Sequence, residues 1–446
     1  MEGKKPTLQA VTLGCSKNRV DTEHILSCVA DMYEILPEDS DSGQRADILL
    51  MNTCGFIGDA KEESIAAIFE AVQRKQAGLV GQIYVCGCLS QRYISELPEL
   101  IPEVDKWFGA RDLAEVVASL GVKGAAPELS SRRLLTTPSH YAYLKISEGC
   151  DRRCSYCAIP HIRGAHKSVP MDVLVEEATS LAASGVRELI VIAQDTTYYG
   201  LDIYHRRALG ELLQKLSEVE GIEWIRVHYS YPASFPEDVI DQLASNPKVC
   251  RYLDIPLQHI SDVVLDKMRR NVDGEWTRNL IEKMRNRIPG VVLRTTMMVG
   301  HPGEGEKEFE ELLDFVSQAK FERLGAFKYS EEEGTFGADN FKDAVPEDVK
   351  QERLDTLMQL QSGISAEFNQ SRVGSKVKVI VDDFVDGVYV CRSEFESPEV
   401  DGEILVKYDD AFFGSVEPYS IVGEFLMVNI IAADEYDLIA EPVEFL

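Results

Sequence analysis

Three of the chain's ten cysteines stand in one short run, ISEGCDRRCSYCAIP. Cys150, Cys154 and Cys157 are spaced C-x₃-C-x₂-C. Thiolates are the usual ligands of iron–sulfur clusters, and a four-iron cluster ordinarily takes four of them. Three leave one iron without a protein ligand, open to a small molecule as catalytic metal positions are. The competing assignment is a structural zinc site with His161 as the fourth ligand. The run follows a predicted strand, YAYLKIS (141–147). Barrel enzymes place their chemistry at such carboxyl ends, which favours the open cluster.

A second set is scattered. Cys15, Cys54 and Cys88 each close an apolar run: LQAVTLGC (8–15), ADILLMNTC (46–54) and QIYVCGC (82–88). Ligands of an open parallel sheet gather at the carboxyl ends of its strands. Three thiols at equivalent ends therefore read as a ligand set, against the alternative of small buried side chains. Cys86 competes with Cys88. The Gly-Cys step at 87–88 repeats that at Gly14–Cys15, with glycine allowing close backbone approach, and selects Cys88. Cys28, Cys250 and Cys391 sit in apolar or strand contexts and read as structural.

These residues need three kinds of scaffold. Residues 1–125 alternate strands with helical stretches such as 61–76, predicting a parallel sheet in an α/β layer. Residues 126–139 are polar, contain two prolines and read as a linker. From 140 to 370 six strand candidates follow: 141–147, 187–194, 224–230, 249–258, 291–300 and 324–330. Helical segments such as 171–185 lie between them. Six β/α units predict an open, partial barrel rather than a closed eight-stranded one. A connecting helix spans 346–370, with Pro346 suited to its first turn. Residues 371–446 turn all-β, with Asp-Gly turns at 386–387 and 401–402, and predict a small antiparallel barrel or sandwich.

The 446 residues carry a net charge of −29. That argues against general affinity for nucleic acid, whose backbone is gripped by Lys and Arg. The start, MEGKKPTLQAVTLG, has no apolar stretch of an export signal, and no run of about 20 uncharged apolar residues predicts a membrane span. A cytoplasmic location is expected, and there closely spaced cysteines bind metal more often than they pair.

The chain resembles the radical S-adenosylmethionine (SAM) methylthiotransferases along essentially its whole length. The resemblance is carried by TLGCSKNRVDTE (12–23), CSYCAIPHIRG (154–164), AQDTTYYG (193–200), DIPLQH (254–259), VGHPGE (299–304), EEGTF (332–336) and SEFESPEVDGEI (393–404). Relatives acting on transfer RNA usually have a GCQMN-like start where this chain has GCSKN. The branch it resembles most modifies an aspartate of small-subunit ribosomal protein S-twelve. The resemblance implies an N-terminal methylthiotransferase domain, a radical SAM barrel and a C-terminal TRAM domain. It implies two four-iron clusters, the radical SAM cluster on Cys150, Cys154 and Cys157 and an auxiliary one on Cys15, Cys54 and Cys88. It places SAM against Gln194, Asp195, Gln258, Val299 and Gly300, and Tyr156 fits the aromatic position before the last cysteine. Val169 departs from the pattern, since relatives often carry arginine before that proline.

The implied reaction uses two SAM molecules. One is cleaved to a deoxyadenosyl radical that takes hydrogen from the aspartate β-carbon. The other supplies the methyl group of the sulfur inserted there. A small electron-transfer protein is the implied reductant. A transfer-RNA adenosine is the alternative substrate, and a non-catalytic electron carrier a further alternative. Charge separates the first two. Residues 371–446 hold five basic and seventeen acidic residues, a net −12. Such a face repels RNA and attracts a basic ribosomal protein. Glu394, Glu396, Glu399, Asp401 and Glu403 are the expected docking residues.

Overall fold

The computed structural model describes residues 4–38, 44–414 and 416–446. Strands β1 (Thr7–Thr12), β2 (Glu34–Leu36), β3 (Ala46–Thr53), β4 (Val80–Gly87) and β5 (Lys106–Trp107) form a parallel sheet in the order β2-β1-β3-β4-β5. The apolar runs of β1, β3 and β4 are buried because helices cover both faces. Ser16–Val29 packs Ile25, Leu26 and Val29 on one side. Gly58–Gln76 packs Ile68, Ala71 and Val72 on the other. The edge strands β2 and β5, three and two residues long, are too short to show a period in sequence.

The second sheet begins with β6 (Tyr141–Lys145). A short antiparallel pair, β7 (Ser147–Glu148) and β8 (Lys167–Ser168), then closes the base of the cysteine-bearing loop. Strands β9 (Glu188–Ile192), β10 (Trp224–Val227), β11 (Val249–Asp254), β12 (Val292–Val299) and β13 (Arg323–Lys328) complete it. The order β13-β12-β11-β10-β9-β6 is parallel throughout, the expected six-stranded open barrel. Helices between the strands bury a continuous aliphatic core that includes Leu189, Val191, Leu212, Leu253 and Leu312. The helix Glu347–Ser371 adds Leu357 and Ile364 to it, with Pro346 as its N-cap.

The C-terminal strands are β14 (Lys376–Val385), β15 (Val388–Ser393), β16 (Ile404–Lys407), β17 (Phe425–Ala433) and β18 (Leu438–Phe445). They close into a barrel in the order β14-β15-β16-β18-β17. Asp386 and Gly387, at φ 52° and 82°, make the foreseen tight turn between β14 and β15. The second Asp-Gly makes no hairpin, because a longer loop joins β15 to β16. Strand β18 was not foreseen, since Pro442 and two glutamates interrupt its pattern. The structure accommodates them where the pairing with β17 shifts register. No helix among the described residues is long and apolar enough to cross a membrane.

The β15–β16 loop corrects part of the expected docking surface. Glu396 is 1% exposed and accepts hydrogen bonds from Arg323 (3.0 Å), Arg372 and the Ser393 amide (3.0 Å). Burial works against its charge, but the two guanidiniums prevail and hold its carboxyl at about 2. Asp401 accepts from the Tyr252 hydroxyl (2.7 Å) and the Ser397 amide (2.9 Å). Both carboxylates therefore fasten this loop onto β11, β13 and the connecting helix rather than facing outward. Glu394 binds Arg251 at 2.6 Å, and Glu399 accepts from Tyr143 at 3.0 Å while remaining half-exposed. Only Glu403 of the five stands exposed with its carboxylate free of any ion pair among the described residues. Alternating charge in sequence does not reveal that arginines of another domain point at it.

Candidate active site

The carboxyl ends of the first two sheets open onto one cavity of about 850 Å³. Cys15, Cys54, Cys88, Cys150, Cys154 and Cys157 all line it, and all are free thiols. The other four cysteines do not. Cys86 is 1% exposed inside β4 among Leu50 and Tyr84, Cys28 packs at the margin of that same cluster, and Cys250 and Cys391 are buried in two others.

Adjacency in the sheet explains the first convergence. β1, β3 and β4 are neighbours, so residues just past their ends lie side by side. Gly14 has φ +88°, and a Cβ there would stand 2.5 Å from Cys54 Cβ and 2.7 Å from Cys54 Sγ. A Cβ on Gly87, at φ +100°, would stand 2.4 Å from the Thr53 carbonyl oxygen. Only glycine admits both the left-handed backbone and this packing. Cys88 opens the helix Cys88–Tyr93, and Arg163 donates from Nε to its sulfur at 3.3 Å. Burial pushes the Cys88 thiol up to about 11 even against that guanidinium.

Cys150, Cys154 and Cys157 lie on the loop clamped by β7 and β8. Cys150 donates its amide to the Gly164 carbonyl at 3.0 Å, and its sulfur accepts the Arg152 amide at 3.4 Å. Arg270 donates to Cys154 Sγ at 3.6 Å and to the Tyr156 hydroxyl at 3.4 Å. Burial pushes the Cys150 thiol up to about 12. Buried thiols of this kind stay protonated when free, and metal coordination is what ionises them. His161 is exposed. The zinc alternative needs His161 as its fourth ligand, and His161 does not line the cavity that the three cysteines share. Six soft sulfur donors spread around a roomy cavity instead match the chemistry of clusters.

The expected SAM contacts divide. Tyr156, Gln194 and Gln258 line the cavity. Gln194 donates to Glu148 at 2.6 Å, and the carbonyl oxygens of both glutamines are buried without a partner, so they can accept from a ligand. Asp195, Val299 and Gly300 do not line it. Asp195 is consumed by Arg152 (2.8 Å) and by capping Thr197. Val299 lies in the aliphatic core, whereas Thr296 and Met298 of the same strand face the cavity. Alternation along the strand turns the Val299 side chain to the core and that of its neighbour Met298 to the cavity. Gly300 packs against Lys350, whose Cγ a Cβ would meet at 2.4 Å.

Where the two sheets meet, a buried cluster joins the thiol sets. Arg163 donates to Asp21 (2.7 Å), Glu148 (3.0 Å) and Asn18. Lys145 donates to Asp21 and to Glu148 (2.8 Å). Two carboxylates thus balance two cations, and Arg163 and Lys145 hold the Glu148 carboxyl at about 2 against its burial. Across the cavity Glu332 accepts from Lys61 (2.8 Å) and Arg92 (2.9 Å), a second clasp between the domains.

Comparison with known proteins identifies the three domains and the family. A family model described as Radical SAM superfamily matches residues 144–316, Uncharacterized protein family UPF0004 matches 7–109, and TRAM domain matches 373–443. The chain is 51% identical over 438 residues to the ribosomal protein uS12 methylthiotransferase RimO of Phocaeicola vulgatus, covering 98% of this chain and 99% of that one. It is 48% identical to the RimO of Porphyromonas gingivalis, covering 99% and 100%. The chain belongs to the RimO family of radical SAM methylthiotransferases. Among solved structures, the radical SAM methyltransferase TsrM of Kitasatospora setae shares the fold, with TM-score 0.54 at 15% identity over 94% of this chain and 81% of that one.

In this RimO-family chain the C-terminal barrel is the TRAM domain. Sequence reasoning missed Arg163, Arg270, Tyr231 and Lys17, which all line the cavity. Arg163 and Lys17 lie inside the stretches that carried the family resemblance. Nothing local marked Arg270 or Tyr231, because long loops bring them in.

Proposed function

We propose that this radical SAM methylthiotransferase adds a methylthio group to the β-carbon of an aspartate in ribosomal protein uS12. We further propose that it holds two four-iron clusters, one on Cys150, Cys154 and Cys157 and one on Cys15, Cys54 and Cys88. The observation that carries this reading is the single cavity shared by both thiol sets, since radical formation and sulfur delivery must reach the same carbon. When bound, the clusters supply the electron for reductive SAM cleavage and a place to hold sulfur.

The protein's own groups do the positioning. Gln194 and Gln258 offer unpartnered acceptors to SAM, and Tyr156, whose hydroxyl accepts from Arg270, adds an aromatic wall to the cavity. Arg270 and Arg152 flank Tyr231 at 4.3 and 4.0 Å from its ring, placing positive charge beside the Cys150–Cys157 loop. Met298, Ile159, Phe327 and Ala326 give the cavity apolar wall that keeps water from a reactive intermediate. The acidic TRAM domain favours a basic protein over RNA. A small electron-transfer protein serves as reductant, and the cytoplasm is the site of action. The test is to incubate the anaerobically reconstituted enzyme with SAM, reductant and a sulfur source, offering uS12 and transfer RNA separately. Methylthio mass on an aspartate of uS12 supports the reading, whereas mass on transfer RNA alone overturns it.

A further inference from the structure

Among the cations lining the cavity, Lys17 differs from the rest. Arg152 pairs with Asp195, Arg163 with Asp21 and Glu148, Lys328 with Glu347 and Lys350 with Asp343. Arg270 is spent on Cys154, Tyr156 and the Pro256 carbonyl. Lys17 is 7% exposed, yet its ammonium has neither an ion pair nor a hydrogen bond among the described residues. It lies over the Tyr229 ring, 2.8 Å from the centroid. The side chain is thus almost wholly buried while its ammonium, held only against a ring face, reaches the cavity free to pair with an anion that enters there.

Its surroundings fix where that anion would sit. Lys17 is the second residue of the helix Ser16–Val29, whose N-cap is Cys15 and whose first turn has no side-chain cap and no acidic residue. The positive helix end and the ammonium therefore act in the same place. Tyr229, which underlies Lys17, holds a left-handed backbone at φ 57°. It is kept there because its amide donates to Asp254 at 2.8 Å and its carbonyl accepts from Thr196 at 3.1 Å. Such strain persists only where the surroundings over-determine it. The ammonium is thus held at the seam of the two domains, beside Cys15, and opens into the cavity that both thiol sets share.

We infer that Lys17 is a carboxylate-binding residue that holds the side-chain carboxylate of the target aspartate. This rests on the reading that the substrate is an aspartyl residue. A cation at the carboxylate orients the adjacent β-carbon, the atom that must face both the radical and the sulfur. It also gives selectivity, because a neutral substrate covering the ammonium would leave it without a counter-charge. SAM carries a carboxylate too, so the two sources must be separated by experiment.

The test is a double-mutant cycle on binding, using anaerobically reconstituted full-length enzyme. Wild-type, Lys17→Met and Lys17→Arg proteins are titrated with a uS12 segment containing the modified aspartate and with the same segment carrying asparagine there. SAM affinity and iron content are measured alongside. Wild type is expected to prefer aspartate roughly tenfold to a hundredfold, the worth of a charge-assisted pair. Lys17→Met should bind both segments alike, with SAM affinity and iron content unchanged, and Lys17→Arg should recover part of the preference. The inference fails if Lys17→Met keeps the wild-type preference. It fails equally if SAM affinity falls while the preference survives, which would assign Lys17 to SAM, or if iron is lost, which would make it a support for Cys15. A wild-type enzyme that binds neither segment would remove the substrate reading itself, and this assignment with it.

Discussion

Replacing Glu396 with alanine tests whether the β15–β16 loop is an internal fastener. The carboxylate is 1% exposed and pairs with two guanidiniums, Arg323 and Arg372, whose side chains are 6% and 7% exposed. It also accepts from the amide and the hydroxyl of Ser393, at 3.0 and 2.6 Å. Glu396→Ala leaves two buried cations without their counter-charge. Removing one partner of a buried pair destabilises by about 3–5 kcal/mol. An exposed pair contributes about 0–1 kcal/mol. The loss should appear in urea unfolding and, more locally, as faster amide exchange across 392–404 and along β13. Glu403→Ala, on the same loop but exposed, serves as the control and should change stability by no more than about 0.5 kcal/mol. If Glu396→Ala behaved like that control, the loop would not be a fastener and the docking assignment of Glu396 would return.

The same seam should weaken in acid. Burial depresses His228 to about 3, more than Asp254 raises it, and His228 contacts the Ser397 hydroxyl at 2.9 Å. A histidine kept neutral in the fold contributes stability above its unfolded value of about 6.5, lost as pH falls from there toward about 3. Glu396, held at about 2, adds its own loss only below the unfolded carboxyl value of about 4.3. Unfolding free energy should therefore decline below pH ~6.5 in wild type and less so in His228→Gln, as urea titrations at stepped pH would record. Cys86→Ala should retain wild-type iron while Cys88→Ala loses iron, and the reverse pattern would exchange their roles. Gly14→Ala forces a Cβ to 2.5 Å from Cys54 Cβ at φ +88°, so it should lower iron bound by the N-terminal set, measured by iron and acid-labile sulfide assay. Unchanged iron would mean that the close approach is not needed.

The long elements were legible because their patterns are strong. The apolar runs of β3 and β4 and the six central strands declared a parallel sheet and an open barrel. The scattered thiol set could be chosen because each of its cysteines ends such a run, and the compact set because its C-x₃-C-x₂-C spacing follows one. The rest depended on tertiary partners. β18 carries Pro442 inside a strand, tolerated where the ladder shifts register. Val299 turns to the core and Met298 to the cavity, a pleat that a glycine-flanked strand end does not reveal. Glu396 and Asp401 looked like surface charge because Arg323, Arg372 and Tyr252 lie far away in sequence. Lys17 stood in a quoted motif, but its lack of a counter-charge could be seen only once the other cavity cations had found theirs.

The division of labour between the thiol sets is tested most directly by two triple variants reconstituted anaerobically. Wild type should bind about eight iron atoms, two four-iron clusters. Alanine at Cys150, Cys154 and Cys157 should leave about half the iron and no SAM cleavage. Alanine at Cys15, Cys54 and Cys88 should also leave about half, with SAM still cleaved but no methylthio group reaching uS12. Full iron in the second variant, or methylthio transfer by it, would contradict the account.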